Sequence, residues 1–184
     1  MNPRALRAAL AHVPPRAPMT LRAATPDAVL CVDHALFHRR ADRVDAARLE
    51  ACMADPTARF VLAGVEGPEG WLPIGYTGWF PLRDADRDAL LAGALDRRQL
   101  RPGDGEAAYL FAWGLLAPWR SHGRARALLC DLGAAVADRP QRLALIVTPA
   151  GARVAARFGL RATTVRFGHD TLWASPGLSA SPTG

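Results

Sequence analysis

The stretch WRSHGRARALL, residues 119–129, crowds Arg120, Arg124 and Arg126 around one glycine, Gly123, just before a run of helix formers. A helix start exposes unpaired backbone N–H groups and carries a partial positive charge. Such an end suits an anion, phosphate above all. Gly123 would let a phosphate approach the backbone, and Ala125 would keep the first turn uncrowded. Arg120 and Arg124 would add charge-assisted donors. Ser121 and His122 lie inside the same loop, and Arg126 follows in the first turn. The chemistry implied is recognition of a pyrophosphate.

Other reactive side chains are sparse. His34 and His38 stand one helical turn apart, the spacing of a metal pair, but no carboxylate or third ligand accompanies them. No metal site is expected. Cys31, Cys52 and Cys130 show no CxxC or Cys/His spacing. They read as small buried hydrophobes of a reducing cytoplasm. His169 reads as a hairpin turn residue. Trp79, Phe80, Phe111 and Trp113 fall on adjacent expected strands, as core or as the wall of an apolar pocket.

The elements that must position these residues follow from pattern. The 184 residues suit one domain with tails, and half are hydrophobic, enough for a core. No apolar run approaches a membrane span. The first residues lack the continuous apolar stretch of a secretory signal and read as a short amphipathic helix, residues 3–12. Residues 1–18 are taken as an extension, 19–174 as the domain, and 175–184, small and punctuated by Pro and Gly, as a disordered tail. The net charge is +6, and every one of the 23 basic residues is arginine. That balance suits an anionic partner. Long basic runs and the usual nucleic-acid motifs are absent, so nucleic acid is not the expected one.

Thr25-Pro26-Asp27 starts a helix that runs to about Arg39, and Asp45 starts a second that stops before Pro56. ARFVLAGVE and LPIGYTGWFPL read as a hairpin. A polar segment with Leu90, Leu91 and Leu95 on one stripe follows as a helical insertion, closed by Pro102-Gly103-Asp104. AAYLFAWGLLAP, apolar on both faces, should be the central strand. A helix from about His122 to Asp138, the strand RLALIVT, a short helix stopped by Gly159 and two final strands complete the chain. The order predicts a mixed α/β sheet flanked by helices, with a helical insertion between the third and fourth strands. The last hairpin leaves an edge through which two copies could pair.

Set between a buried strand and a helix, Arg120, Gly123 and Ala125 fill the R-x-x-G-x-A pattern, and the chain resembles the GCN5-related N-acetyltransferases over residues 19–174. The resemblance implies a fold in which this loop cradles the pyrophosphate of coenzyme A. It also implies that backbone groups near Leu115, Leu116 and Ala117 bond the pantetheine arm, beside an oxyanion-stabilising N–H near Leu116. The implied activity is acyl transfer from acetyl-CoA to an amine of a small molecule or protein. Tyr109 and Glu106 stand at the start of the central strand, where the family often has its base. The family's tyrosine acid on the last helix is here Ala155, and its helix-head asparagine is Thr148. This departure leaves open a CoA-binding or interaction module without catalysis.

A narrower stretch, about 45 residues, is similar to the toxin-activating lysine acyltransferases, which take fatty acyl groups from acyl carrier protein. It has the Gly103-Asp104 turn, Trp113 and Ala117-Pro118. Ala112 stands where those proteins have an acidic residue, and they lack the phosphate-loop pattern kept here.

Overall fold

The computed structural model describes residues 1–37 and 42–178. Its elements are α1 (Pro3–Leu10), β1 (Met19–Ala23), α2 (Pro26–Leu36), α3 (Ala46–Met53), β2 (Arg59–Gly67), β3 (Gly70–Leu82), α4 (Asp84–Leu91), β4 (Ala107–Leu115), α5 (Arg124–Ala135), β5 (Arg142–Ile146), α6 (Pro149–Arg157), β6 (Arg161–Phe167) and β7 (Asp170–Ala174). Short 3-10 turns sit at Arg97–Gln99 and Ala117–Trp119. The order anticipated from the sequence is the order observed, insertion included. Boundaries differ where local chemistry decides. The helix placed from about His122 starts at Arg124, because His122 and Gly123 both have left-handed backbone, φ 60° and 76°. The helix expected to reach about Arg39 ends at Leu36, and Phe37 is extended.

The seven strands form one sheet, β1-β2-β3-β4-β5-β7-β6, antiparallel except for β4 against β5. β4 is therefore central, as its two apolar faces require. Successive residues of a strand point to opposite faces. Phe80 joins the larger apolar cluster with Leu6, Val32 and Leu49, from α1, α2 and α3. Trp79 joins the other, with Leu132 and Val136 around α5 and Ala155 of α6. Gly114 lets α2 seat tightly on β4: a Cβ there would lie 2.5 Å from Leu36 Cδ1.

Residues 1–18, expected to lie outside the domain, are packed into it. Leu6, Leu10 and Val13 are buried in the larger cluster. Asn2 caps α1, and the Arg7 guanidinium donates to the Ala35 carbonyl at the end of α2, 2.6 Å. Of the expected tail, residues 179–184 lie outside the described residues, while Ser175 N–H donates to the Arg142 carbonyl, 2.9 Å. Cys31 and Cys52 are buried, but Cys130 is exposed on α5 and is corrected from the core. Among the described residues no helix is long and apolar enough to cross a membrane.

The centre of the sheet is split. β4 and β5 pair only at Ala108–Arg142 and Tyr109–Leu143, and then diverge. The cause lies in β4. Against β3, Ala112 pairs with Gly78 and Leu110 with Trp79, so Phe111 is an extra residue. A bulge of this kind bends its strand and raises the local twist. Here it turns the rest of β4 away from β5.

Candidate functional site

Two features meet at this split: a cleft and a helix start. The cleft, about 870 Å³, is bounded by β4 from Tyr109 to Trp113 and β5 from Leu145 onward, and by residues of α2, α3 and the insertion. Thr148 lines it too, but its hydroxyl caps α6 by accepting from Gly151 N–H, 3.0 Å. Ala155 is fully buried under α6, away from the cleft lining.

At the helix start, Ser121, His122 and Gly123 are exposed. The N–H groups of these three, and of Ala125 and Arg126, have no acceptor among the described residues. A non-glycine residue held at positive φ, as His122 is, costs about 1–3 kcal/mol and is often found at functional turns. Ser121 Oγ lies 2.7 Å from His122 Nδ1. A Cβ on Gly123 would meet nothing within 4 Å, so glycine serves the left-handed turn here and clears no neighbour.

Some expected roles are redistributed. Arg120 is exposed, and its Nε donates to the Leu115 carbonyl, 2.8 Å. Arg126 is exposed at the same helix end. Arg124, expected as an anion donor, is buried instead. Its guanidinium bonds the carbonyls of Pro15 and Ala17, the latter at 2.6 Å, and lies 5.0 Å from the Trp119 ring centroid. Leu116 N–H, expected near the oxyanion, donates to the Ile74 carbonyl, 2.8 Å. Along an antiparallel strand, alternate residues send their N–H and C=O to opposite sides. Leu115 and Trp113 therefore turn theirs to the side of the split. Ala117 is exposed in the 3-10 turn and accepts from Arg120 N–H, 3.3 Å.

Of the two expected catalytic residues, Tyr109 lines the cleft, buried and 5.3 Å from the Phe80 ring. Glu106 does not. It is exposed ahead of β4, where its charge acts on Arg87, and it is corrected from the site. His34 borders the cleft, while His38 lies outside the described residues. Phe111 and Trp113 line the cleft; Trp79 and Phe80 are core. His169 is exposed between β6 and β7. Among the described residues no cluster of His, Cys, Asp or Glu is arranged to hold a metal.

The sequence reading missed a buried pair on the cleft lining. Tyr76 donates to Asp33 at 2.6 Å, and Asp33 also accepts from Val44 N–H at 3.0 Å. Burial pushes the Asp33 carboxyl above the usual aspartate range, against the Tyr76 and Val44 hydrogen bonds and the charges of His34 and Arg43. Tyr76 is pushed well up by burial and by Asp33. The pair fixes the segment entering α3. A lone acid inside the apolar run AVLCVDHAL was the available signal. Arg43, Arg48, Arg98 and Arg101 also border the cleft, and nothing in the sequence pattern had singled them out.

No family model and no curated protein matches the chain. Solved structures do. The ribosomal-protein-S18-alanine N-acetyltransferase from Escherichia coli is 11% identical with a TM-score of 0.59, over 91% of this chain and 99% of that one. The Arabidopsis thaliana NAA60 in complex with a bisubstrate analogue is 11% identical with a TM-score of 0.58, over 86% and 98%. The GphF GNAT-like decarboxylase in complex with isobutyryl-CoA is 16% identical with a TM-score of 0.61, over 85% and 98%.

Proposed function

Because this chain has the fold of the GCN5-related N-acetyltransferases, we propose that it is an acyl-CoA-dependent N-acyltransferase, with acetyl-CoA as donor and an amine as acceptor. The observation that carries the reading is the opening between β4 and β5 beside the unpaired start of α5. The pyrophosphate binds the N–H groups of residues 121–123, 125 and 126, with Arg120 and Arg126 as flanking cations. The pantetheine arm lies along the side of β4 to which Trp113 and Leu115 turn their backbone, and the thioester reaches the cleft.

There the acceptor nitrogen, as the free amine, adds to the thioester carbonyl carbon. The oxyanion is stabilised by Leu115 N–H, in place of the occupied Leu116 N–H. The C–S bond then breaks, and the CoA thiolate takes the proton the nitrogen loses. No residue on α6 supplies that proton, since Ala155 has no acidic group.

Calorimetric titration with acetyl-CoA and CoA tests the cofactor. Micromolar binding, lost on combining Arg120→Ala with a bulky residue at 123, is expected; binding that survives both changes would overturn the reading. Ala155 supports a second reading, a protein that binds CoA without acyl transfer. Thiol release in the presence of amines separates the two. If acetyl-CoA fails to bind, the donor to test is an acyl group on acyl carrier protein.

A further inference from the structure

The cleft has an arginine that the described residues do not satisfy. Arg48, on α3, is half-buried and lines the cleft, and its Nε and one Nη are buried with no hydrogen-bond partner among the described residues. Its guanidinium sits 4.8 Å from the centroid of the Phe111 ring, the residue extruded by the bulge. A buried guanidinium nitrogen without an acceptor costs more than an ordinary lost hydrogen bond. A bound anion would remove that cost. Arg101 approaches from the insertion. Its Nη1 is held at 2.8 Å by both the Arg98 and Leu100 carbonyls, which fixes the group in place. Arg48 and Arg101 both act on the buried Cys52 thiol, which puts them in one neighbourhood. Among the described residues neither they nor Arg98 forms an ion pair.

The cleft's own carboxylates do not answer them. Asp33 is buried and turned to Tyr76 and Val44, and Asp45 caps α3 by accepting from Arg48 N–H, 2.9 Å. Asp42 also lines the cleft, and no ion pair joins it to Arg48, Arg98 or Arg101 among the described residues. The site is therefore built for a ligand anion, and the planar fork of arginine matches a carboxylate.

We infer that the acceptor is a small amine that also carries a carboxylate, held by Arg48 with Arg101. This rests on the acyltransferase reading above for the amine, while the anion site stands on the arginines alone. The carboxylate belongs to the acceptor because of distance. Four residues of strand, roughly 13 Å, separate Phe111 from Leu115. A short dicarboxylic acyl group at Leu115 cannot span that. An ω-amino acid or a short peptide, with several more bonds between the acylated nitrogen and the carboxylate, reaches further toward Arg48, whose own side chain closes the remainder.

The test compares 6-aminohexanoate with 6-aminohexanamide, which keeps the amine and removes the charge. Binding is followed by calorimetry without donor, and turnover by thiol release with acetyl-CoA. The acid is expected to bind at least tenfold more tightly and to have the lower KM. Arg48→Gln should bring the ratio of the two compounds toward one, Arg48→Lys should restore part of it, and thermal unfolding checks that each variant is folded. Equal binding of acid and amide overturns the inference and leaves the acyltransferase reading intact. Loss of acetyl-CoA binding with the acid preference retained does the reverse. A preference for succinyl-CoA over acetyl-CoA that Arg48→Gln abolishes would assign the anion to the donor and also overturn it.

Discussion

At the scale of single residues, the arginines of one loop divide into two kinds. Arg120 is exposed beside the unpaired N–H groups, whereas Arg124 is buried under the loop and tied to Pro15 and Ala17. Arg120→Ala should therefore weaken CoA binding about tenfold or more, at little cost in stability. Arg124→Ala should lower stability by about 3 kcal/mol, because two carbonyls lose a charged donor and a buried side chain leaves a void. Urea unfolding beside CoA titration checks both, and a reversed pattern would show that the assignments are exchanged. Asp33 gives a pH signature. Its carboxyl is raised in the folded state, so between the unfolded and folded pKa values the native protein holds the extra proton. Its contribution is full below the ordinary aspartate pKa and falls as pH rises through the raised one. Relative to wild type, Asp33→Asn should gain stability across that window, with a slope of up to about 1.4 kcal/mol per pH unit. Parallel stability curves for the two proteins would contradict this.

At the scale of elements, the fold was legible wherever one segment's own pattern decides it. Thr25-Pro26, Asp45 and Gly159 marked helix ends, and the doubly apolar run at 107–115 marked the central strand. The loop at 120–126 and the helix start after it were legible because a strand, a glycine and a helix start are contiguous. What stayed hidden depends on distant pairing. The Phe111 bulge exists only in register with Gly78 and Trp79. The occupation of Leu116 N–H depends on Ile74, and the burial of Arg124 on residues 15–17. The integration of α1 belongs here too: its amphipathic stripe was visible, its partner was not. Removing residues 1–18 should expose the Leu6, Leu10 and Val13 site and leave Arg124 buried without its carbonyls. The shortened chain is expected to unfold at a Tm several degrees lower, or to be insoluble. An unchanged Tm would mean that α1 adds nothing to the core.

At the scale of the whole molecule, the sheet is open, with β1 and β6 as its edges. The sequence raised the possibility that the last hairpin pairs across a dimer. The edges argue the other way. β6 pairs irregularly with β7, skipping the positions between Ala162 and Arg166, and it carries Arg161 and Arg166 exposed. A bulged, charged edge is how sheets resist pairing with another chain. On β1, Arg22 is bonded to Glu66 at 2.8 Å and lies over the Trp71 ring, 4.7 Å away, while Trp71 Nε1 donates to Thr20 Oγ1. That edge is dressed by its own neighbours. With a net charge of +6, two copies would also repel. The protein is therefore expected to sediment as a monomer at micromolar concentration in moderate salt. Replacing Arg161 and Arg166 with threonine should promote self-association, since it removes the charge and keeps strand propensity. A wild-type dimer that Arg161→Glu dissociates would place the interface on β6 and reverse the expectation.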